Sequence, residues 1–260
     1  MRAWIEQHPV FAFYLLAFAI SWAGMIPSIG NSSPNPLLSL LSAGGPTFAA
    51  VLIVLLVEGK QGPRRLFAPL FEWRFGSTWY LFLFTFWPIV AGAALGLMAL
   101  FGTALPELSR FAWNTLPIVF ITLLLSNVWE EIGWRGFALP HLLQQKRSLG
   151  QIMLFMGLLW SLWHLPLMLN PLSPMSTLPW YAEVPFSLAL TVLYTWLYLG
   201  TGRSLLSVSL FHALSNTVAW ILFELGVYVS SYLWVVAIVS LVALAVWLQR
   251  HKWRPATAAV

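Results

Sequence analysis

The chain has 260 residues, of which 60% are hydrophobic and 8% charged, with a formal charge of +5 and a mean hydropathy of +0.80. Soluble domains carry about 25% charged residues, so this composition excludes a soluble protein and fits one membrane domain, 1–260. The absence of cysteine excludes disulfides, thiolate metal sites and a cysteine nucleophile, and every acidic residue is a glutamate, which excludes an intramembrane aspartyl protease.

Crossing the hydrocarbon as helix takes about 20 apolar residues. The first such run follows Met1-Arg2-Ala3-Trp4 and starts near Val10. It is too long for the apolar region of a cleaved signal peptide and no small-residue cleavage site follows, so it reads as the first span. The pattern predicts an all-α polytopic membrane protein with eight spans, at about 10–29, 37–57, 78–101, 115–137, 150–170, 183–200, 204–224 and 228–249. Polar and Gly/Pro-rich breaks separate them, around Pro34, Gly59 to Gly76, Gly102 to Asn114, Pro140 to Gly150, Pro171 to Pro179, Gly200 to Gly202, and Gly226. In the second span, Gly44-Gly45-Pro46 with Ala49 and Ala50 predicts close helix packing.

Lys and Arg in short loops mark the cytoplasmic side. Arg2, Lys60, Arg64, Arg65, Arg74, Lys146, Arg147, Arg203, Arg250, Lys252 and Arg254 fall on one side, 11 of the 13 basic residues. The other side holds Arg110 alone, and Arg135 lies within a span. Both termini are therefore expected in the cytoplasm. Because the positive charge is spread over short loops, nucleic acid is not an expected partner, whereas membrane lipid is. The stretch from Gly59 to Gly76 interleaves Arg64, Arg65 and Arg74 with Leu66, Phe67, Leu70, Phe71 and Trp73. It reads either as a helix lying at the interface or as an ordinary basic loop.

The polar residues inside the spans are few. Span four carries Glu130, Glu131 and Arg135, span five Trp160 and His164, and span seven His212 and Asn216. Ionisable groups at membrane depth are costly and by default mark a functional site. Glu131 and Arg135 are four residues apart, within reach of a salt bridge. Glu130 is rotated by about 100° and lacks that partner. It is thus the carboxylate free to accept a proton from water. His212 and Asn216 share a helical stripe and could hold an oxyanion. His8, His141 and His251 fall in loops or tails, and Glu183 and Glu224 near span ends read as interfacial. A single intramembrane histidine is often only a packing hydrogen bond. Ser209 precedes His212 by one turn without a nucleophile context, so no serine–histidine pair is expected.

At these residues the sequence resembles the CPBP family of intramembrane proteases, also called the Abi or CAAX-protease family, with its Rce1-type prenyl-protein endopeptidases. Its Glu-Glu-x-x-x-Arg motif matches Glu130, Glu131 and Arg135, continued by Gly136, Phe137 and Pro140. Its Phe-x-x-x-His motif matches at His164, with Trp160 in place of Phe, and its His-x-x-x-Asn motif matches His212 and Asn216. The resemblance implies a catalytic core over 115–225 and a polar cavity open to the cytoplasm. It further implies a peptide or lipoprotein substrate cleaved within the membrane, with Glu130 activating water, His164 assisting, and His212 and Asn216 stabilising the oxyanion. Glu131 and Arg135 would fix span four, and the Trp160 departure would reshape only the cavity wall.

Metal-free chemistry is the favoured expectation and no cofactor is called for. The alternative is zinc on Glu130, His164 and His212, three ligands with one position left for water, though His-Glu-x-x-His is absent. At 1.5 Å per residue, Glu130 and His212 come out on the order of 10–14 Å from their cytoplasmic helix ends and His164 near 20 Å, which predicts a tilted or later-starting span five. The competing functions are a non-proteolytic regulator or bacteriocin-immunity protein of the same fold and a proton-coupled carrier, the latter disfavoured by the lack of paired repeats. The sequence carries no signal of oligomeric state or of the recognised substrate residues.

Overall fold

A computed structural model describes residues 2–33 and 35–253, and among them all regular structure is helical. The elements in order are α1 (Arg2–Gln7), α2 (Pro9–Met25), α3 (Pro36–Glu58), α4 (Gln61–Phe67), α5 (Ser77–Leu100), α6 (Leu116–Glu131), a π-helical segment (Ile132–Ala138), α7 (Leu139–Leu143), α8 (Leu149–Trp163), α9 (Leu165–Leu169), α10 (Trp180–Gly200), α11 (Leu205–Glu224) and α12 (Tyr228–Leu248). They make eight stretches long and apolar enough to cross a membrane: Pro9–Ser28, Pro36–Glu58, Ser77–Leu100, Trp113–Leu143, Leu149–Leu169, Trp180–Gly200, Leu205–Glu224 and Tyr228–Leu248. The chain is an integral membrane protein with the eight spans read from its hydropathy. The fourth differs most from expectation. It runs on through the π segment to Leu143, carrying Pro140 inside one continuous helical run instead of ending before it. His141 consequently lies in the last turn of this span rather than in a loop.

Local chemistry sets the helix starts. The Asn35 side chain accepts from the N–H groups of Leu37 and Leu38 (3.0 and 3.2 Å) ahead of Pro36. Ser148 and Gln151 form a reciprocal capping box for α8. Ser204 caps α11 by accepting from Ser207 N–H and donates to the Glu72 carbonyl.

The stretch after α3 is helical at its start. Leu66 of α4 is buried, whereas Phe71 and Trp73 are exposed, the arrangement of a segment lying along the interface with one side chain driven inward. The expected close packing in α3 is present. A Cβ on Gly45 would fall 2.0 Å from Ser21 Oγ of α2, so only glycine lets these helices meet.

The connections form two faces. One carries α1, α4 and the turns at 144–148, 201–204 and 249–253, and with them the basic loop residues, save Arg254, which lies outside the described residues. The other carries the connections at 29–35, 101–115, 170–179 and 225–227, with Arg110.

Candidate active site

Each glutamate of span four has a different environment because the helix changes form at this point. α6 gives way to the π segment directly after Glu131, and single π turns often sit at functional sites. The Thr47 hydroxyl of α3 donates to the Trp129 carbonyl where α-helical bonding ends. Gly133 lets the backbone of α3 approach, since a Cβ there would fall 2.4 Å from Pro46 Cβ.

Glu131 is fully buried. Its Oε1 accepts from Arg135 Nη1 at 2.9 Å, the expected pair, and also meets His212 Nδ1 at 2.9 Å. The second contact joins span four to span seven and is not visible in helical spacing. Arg135 is held further by the rings of Trp160 (5.0 Å) and Tyr194 (4.5 Å), cation–π contacts that help offset the burial of its charge. Glu130 is not hydrogen-bonded into this network, although His212, Arg135 and the Trp160 indole stand close by, and its Oε2 is buried without a hydrogen-bond partner.

The two histidines present the same nitrogen. His164 Nδ1 lies 2.8 Å from the Trp160 carbonyl, which can only accept, so Nδ1 carries the proton and Nε2 is left for other partners. His212 Nδ1 likewise faces the Glu131 carboxylate and leaves Nε2 free. Asn216 Nδ2 donates to Asn127 Oδ1 at 3.1 Å. Asn127, one turn before Glu130 and 1% exposed, is a site residue that sequence reasoning passed over. A polar amide in an apolar helix one turn from the glutamates was the available signal.

Trp160 proves central, which corrects the expectation that its replacement of Phe leaves the catalytic set untouched. Its ring lies edge-on to His164 (5.3 Å) and His212 (5.6 Å) as well as against Arg135. A ring of this size on the inner face of α8 reaches all three helices at once. Its indole N–H is buried close to the Glu130 carboxyl.

Glu130, His164, His212 and Asn216 line one cavity of about 600 Å³. The depth difficulty resolves on the glutamate side. Because span four continues to Leu143, Glu130 lies thirteen residues from that end and His164 fifteen from the start of α8, roughly 20 Å in both cases. His212 is seven residues from Leu205, but Leu205 itself is fully buried and, with Leu66, faces Gly136, so α11 starts beneath the interfacial segment.

Among the described residues no three His or Glu side chains gather into a group able to hold a metal ion. Glu130, His164 and His212, the alternative zinc set, thus share a cavity without forming a ligand cage in this structure. The residues that line the cavity include Met25, Ser42 and Tyr228, at the helix ends remote from the basic loops. One further expectation changes. Glu183 is not interfacial. It is 5% exposed and accepts from Ser187 Oγ (2.8 Å) and Tyr232 O–H (3.1 Å) in the cavity wall. Glu224 is exposed at its helix end, and Ser209 makes no bond to His212.

A carboxylate and two histidines converging from three apolar helices define a polytopic membrane protein with a buried polar site. Residues 112–218, which carry all three motifs, match the family described as type II CAAX prenyl endopeptidase Rce1-like. A curated relative, CAAX prenyl protease 2 of Methanococcus maripaludis, is 34% identical over 112 residues, and the match spans 41% of this chain and 41% of that relative. The motif-bearing stretch of this chain is thus similar to the Rce1-like CAAX endopeptidases, over less than half the length of the chain and of the relative.

Proposed function

We propose that this chain is an intramembrane endopeptidase that hydrolyses peptide bonds of membrane-associated or lipidated substrates with a glutamate-activated water, its catalytic core lying within 115–225. The observation that carries this reading is the contrast at the motif: Glu131 is engaged by Arg135 and His212, while Glu130 Oε2 has no partner and lines the cavity with both histidines. Glu130 takes a proton from water as the oxygen attacks the scissile carbonyl carbon. Negative charge develops on the carbonyl oxygen, where the second N–H of the Asn216 amide is an available donor, joined by His212 Nε2 when both ring nitrogens carry a proton. Glu131 is the positioning residue for His212, holding its ring through Nδ1. When the C–N bond breaks, the proton passes to the leaving amine, with His164 assisting at the cavity wall. The match to the family and the CAAX protease relative supports peptide-bond hydrolysis as the reaction class. We further propose a prokaryotic plasma-membrane location with both termini cytoplasmic, supported by the basic loops.

The test is cleavage of a peptide and lipopeptide library by the purified protein, with and without a chelator. Glu130→Gln should abolish cleavage, and chelation should leave the rate unchanged. Cleavage by the variant at the parent rate overturns the assigned base, and loss of cleavage on chelation overturns the metal-free mechanism.

A further inference from the structure

A second depression, separate from the site, runs up the outside of the bundle between the first and fifth spans. Both helices start at the face of the basic loops, α2 at Pro9 and α8 behind its Ser148 cap. One wall of the groove is Phe11, Leu15 and Phe18 of α2, and the other is Phe155, Leu159 and Leu162 of α8. On its floor Tyr14 meets Phe155 edge-on, with ring centroids 5.2 Å apart. Beyond its deep end the two spans are tied together, since the Trp22 indole N–H donates to the Trp163 carbonyl at 3.1 Å. Its mouth lies on the face of the basic loops and is lined by Gln7, His8, Gln145 and Arg147. None of the motif residues lines it. The floor is nevertheless the back of the site's wall: the Tyr14 ring stacks on Trp134 (5.6 Å), and Trp134 meets Trp163 edge-on (5.8 Å) beside His164.

We infer that this groove holds one phospholipid with an anionic headgroup, its acyl chain between α2 and α8 and its phosphate at Arg147. The polarity runs the right way, with a basic and amide-lined mouth at the membrane surface and apolar walls below it. The depth fits as well. From Pro9 to Phe18 the groove follows α2 for roughly 14 Å, about half of a hydrocarbon core ~30 Å thick, which is one leaflet. Its volume, about 720 Å³, lies in the range of ligand pockets, ~300–1,000 Å³. The charge at the mouth is unspent. Among the described residues the arginines paired with glutamate are Arg2, Arg65, Arg110 and Arg135, which leaves Arg147 and its neighbour Lys146 without an anion. A guanidinium matches the oxygens of a phosphate, and the Gln145 amide beside it supplies further N–H donors. No glutamate lines the groove, and Glu6, close in sequence to the mouth, is held by Arg2 at 2.9 Å. The cationic half of a zwitterionic headgroup thus has no partner here, so the groove selects net negative charge, as basic pockets between spans do. This inference stands apart from the proteolytic reading and survives its failure.

The chain has no cysteine, so a single thiol-reactive fluorophore reports without background. Leu15→Cys places it on the exposed rim of the groove, and Leu241→Cys places it at similar depth from the same face on the exposed side of α12. The full chain is held in phosphatidylcholine bilayers, and lipids brominated on the acyl chain quench the fluorophore they touch. At Leu15→Cys, brominated phosphatidylglycerol should reach half-quenching at about fivefold lower mole fraction than brominated phosphatidylcholine, the effect of one basic side chain beside an anionic headgroup. At Leu241→Cys the two lipids should quench alike. No preference at Leu15→Cys, or the same preference at both positions, overturns the inference. Arg147→Gln should remove the preference at Leu15→Cys, and Arg64→Gln, an exposed arginine of the same face outside the groove, should leave it intact. A preference that survives Arg147→Gln overturns the headgroup site. Leu159→Trp fills the groove and should remove the preference with Arg147 still in place. Persistence there means that the headgroup binds without a seated chain, and overturns the acyl seat. Excess glycerol phosphate should not relieve the quenching. Relief assigns Arg147 to a free phosphate and overturns the lipid occupant.

Discussion

The glutamate pair sits at the boundary between two unlike halves of the bundle. On the basic side the interior is solid: Phe13, Trp134, Phe137, Leu139, Leu205 and Phe211, from three spans, are at 2% exposure or less. On the other side it is hollow, with Ser42, Glu183, Ser187 and Tyr232 around an open volume. The adjacent side chains of Glu130 and Glu131 fall on opposite sides of this boundary. The solid half can hold a charged network because every helix around it is fixed, and a buried charge is tolerable only with partners in place. The hollow half leaves a carboxylate unpaired and within reach of water. In the proposed mechanism, a rigid surround holds Glu131 as the structural glutamate and an open cavity leaves Glu130 as the reactive one.

The sharpest way to break this contrast is to treat the two glutamates alike. Glu130→Gln should lower cleavage by on the order of 10²–10⁴ while the thermal unfolding midpoint in detergent stays at the parent value. Glu131→Gln should lower activity and also destabilise by ~3–5 kcal/mol, since Arg135 would remain buried without its partner. Equal midpoints for the two variants would erase the distinction drawn here. Next in size, Gly133→Ala drives a methyl into Pro46 and should cost about 1–3 kcal/mol, read as a lowered unfolding midpoint. Asn127→Leu removes the acceptor for Asn216 and should cost ~0.6–1.7 kcal/mol, the range of interhelical hydrogen bonds in membranes. Its effect on cleavage should exceed that of a packing change of the same size, because Asn216 would lose its orientation. Smallest of all, Arg65→Ala breaks the exposed ion pair with Glu58 and should shift stability by less than about 1 kcal/mol. A large effect there would mean that the interfacial segment contributes more than the buried Leu66.

The hydropathy pattern placed each span to within a few residues except at the end of the fourth nearest the basic loops. There Pro140 reads as a breaker, but in the structure it is accommodated as the opening turn of α7. The motif residues were equally legible. Glu130, Glu131, Arg135, His164, His212 and Asn216 stand out because polar groups are rare in apolar helices, and helical spacing alone paired Glu131 with Arg135. Spacing within one helix could not reveal the partners across helices. Glu131 with His212, Asn127 with Asn216, and Trp160 among His164, His212 and Arg135 all depend on how the spans are rotated about their axes. Glu183 was misread for a related reason: distance from a helix end says nothing about which side of the helix faces the bundle.

The amino-acid sequence by itself determined the eight spans, their sidedness relative to the basic loops, and the identity of the polar residues, because hydrocarbon thickness and the cost of buried charge act on each helix separately. Tertiary structure alone decided which half of the bundle is filled and which is hollow. That depends on the combined volume of side chains from several helices at one depth, a quantity that no single span encodes.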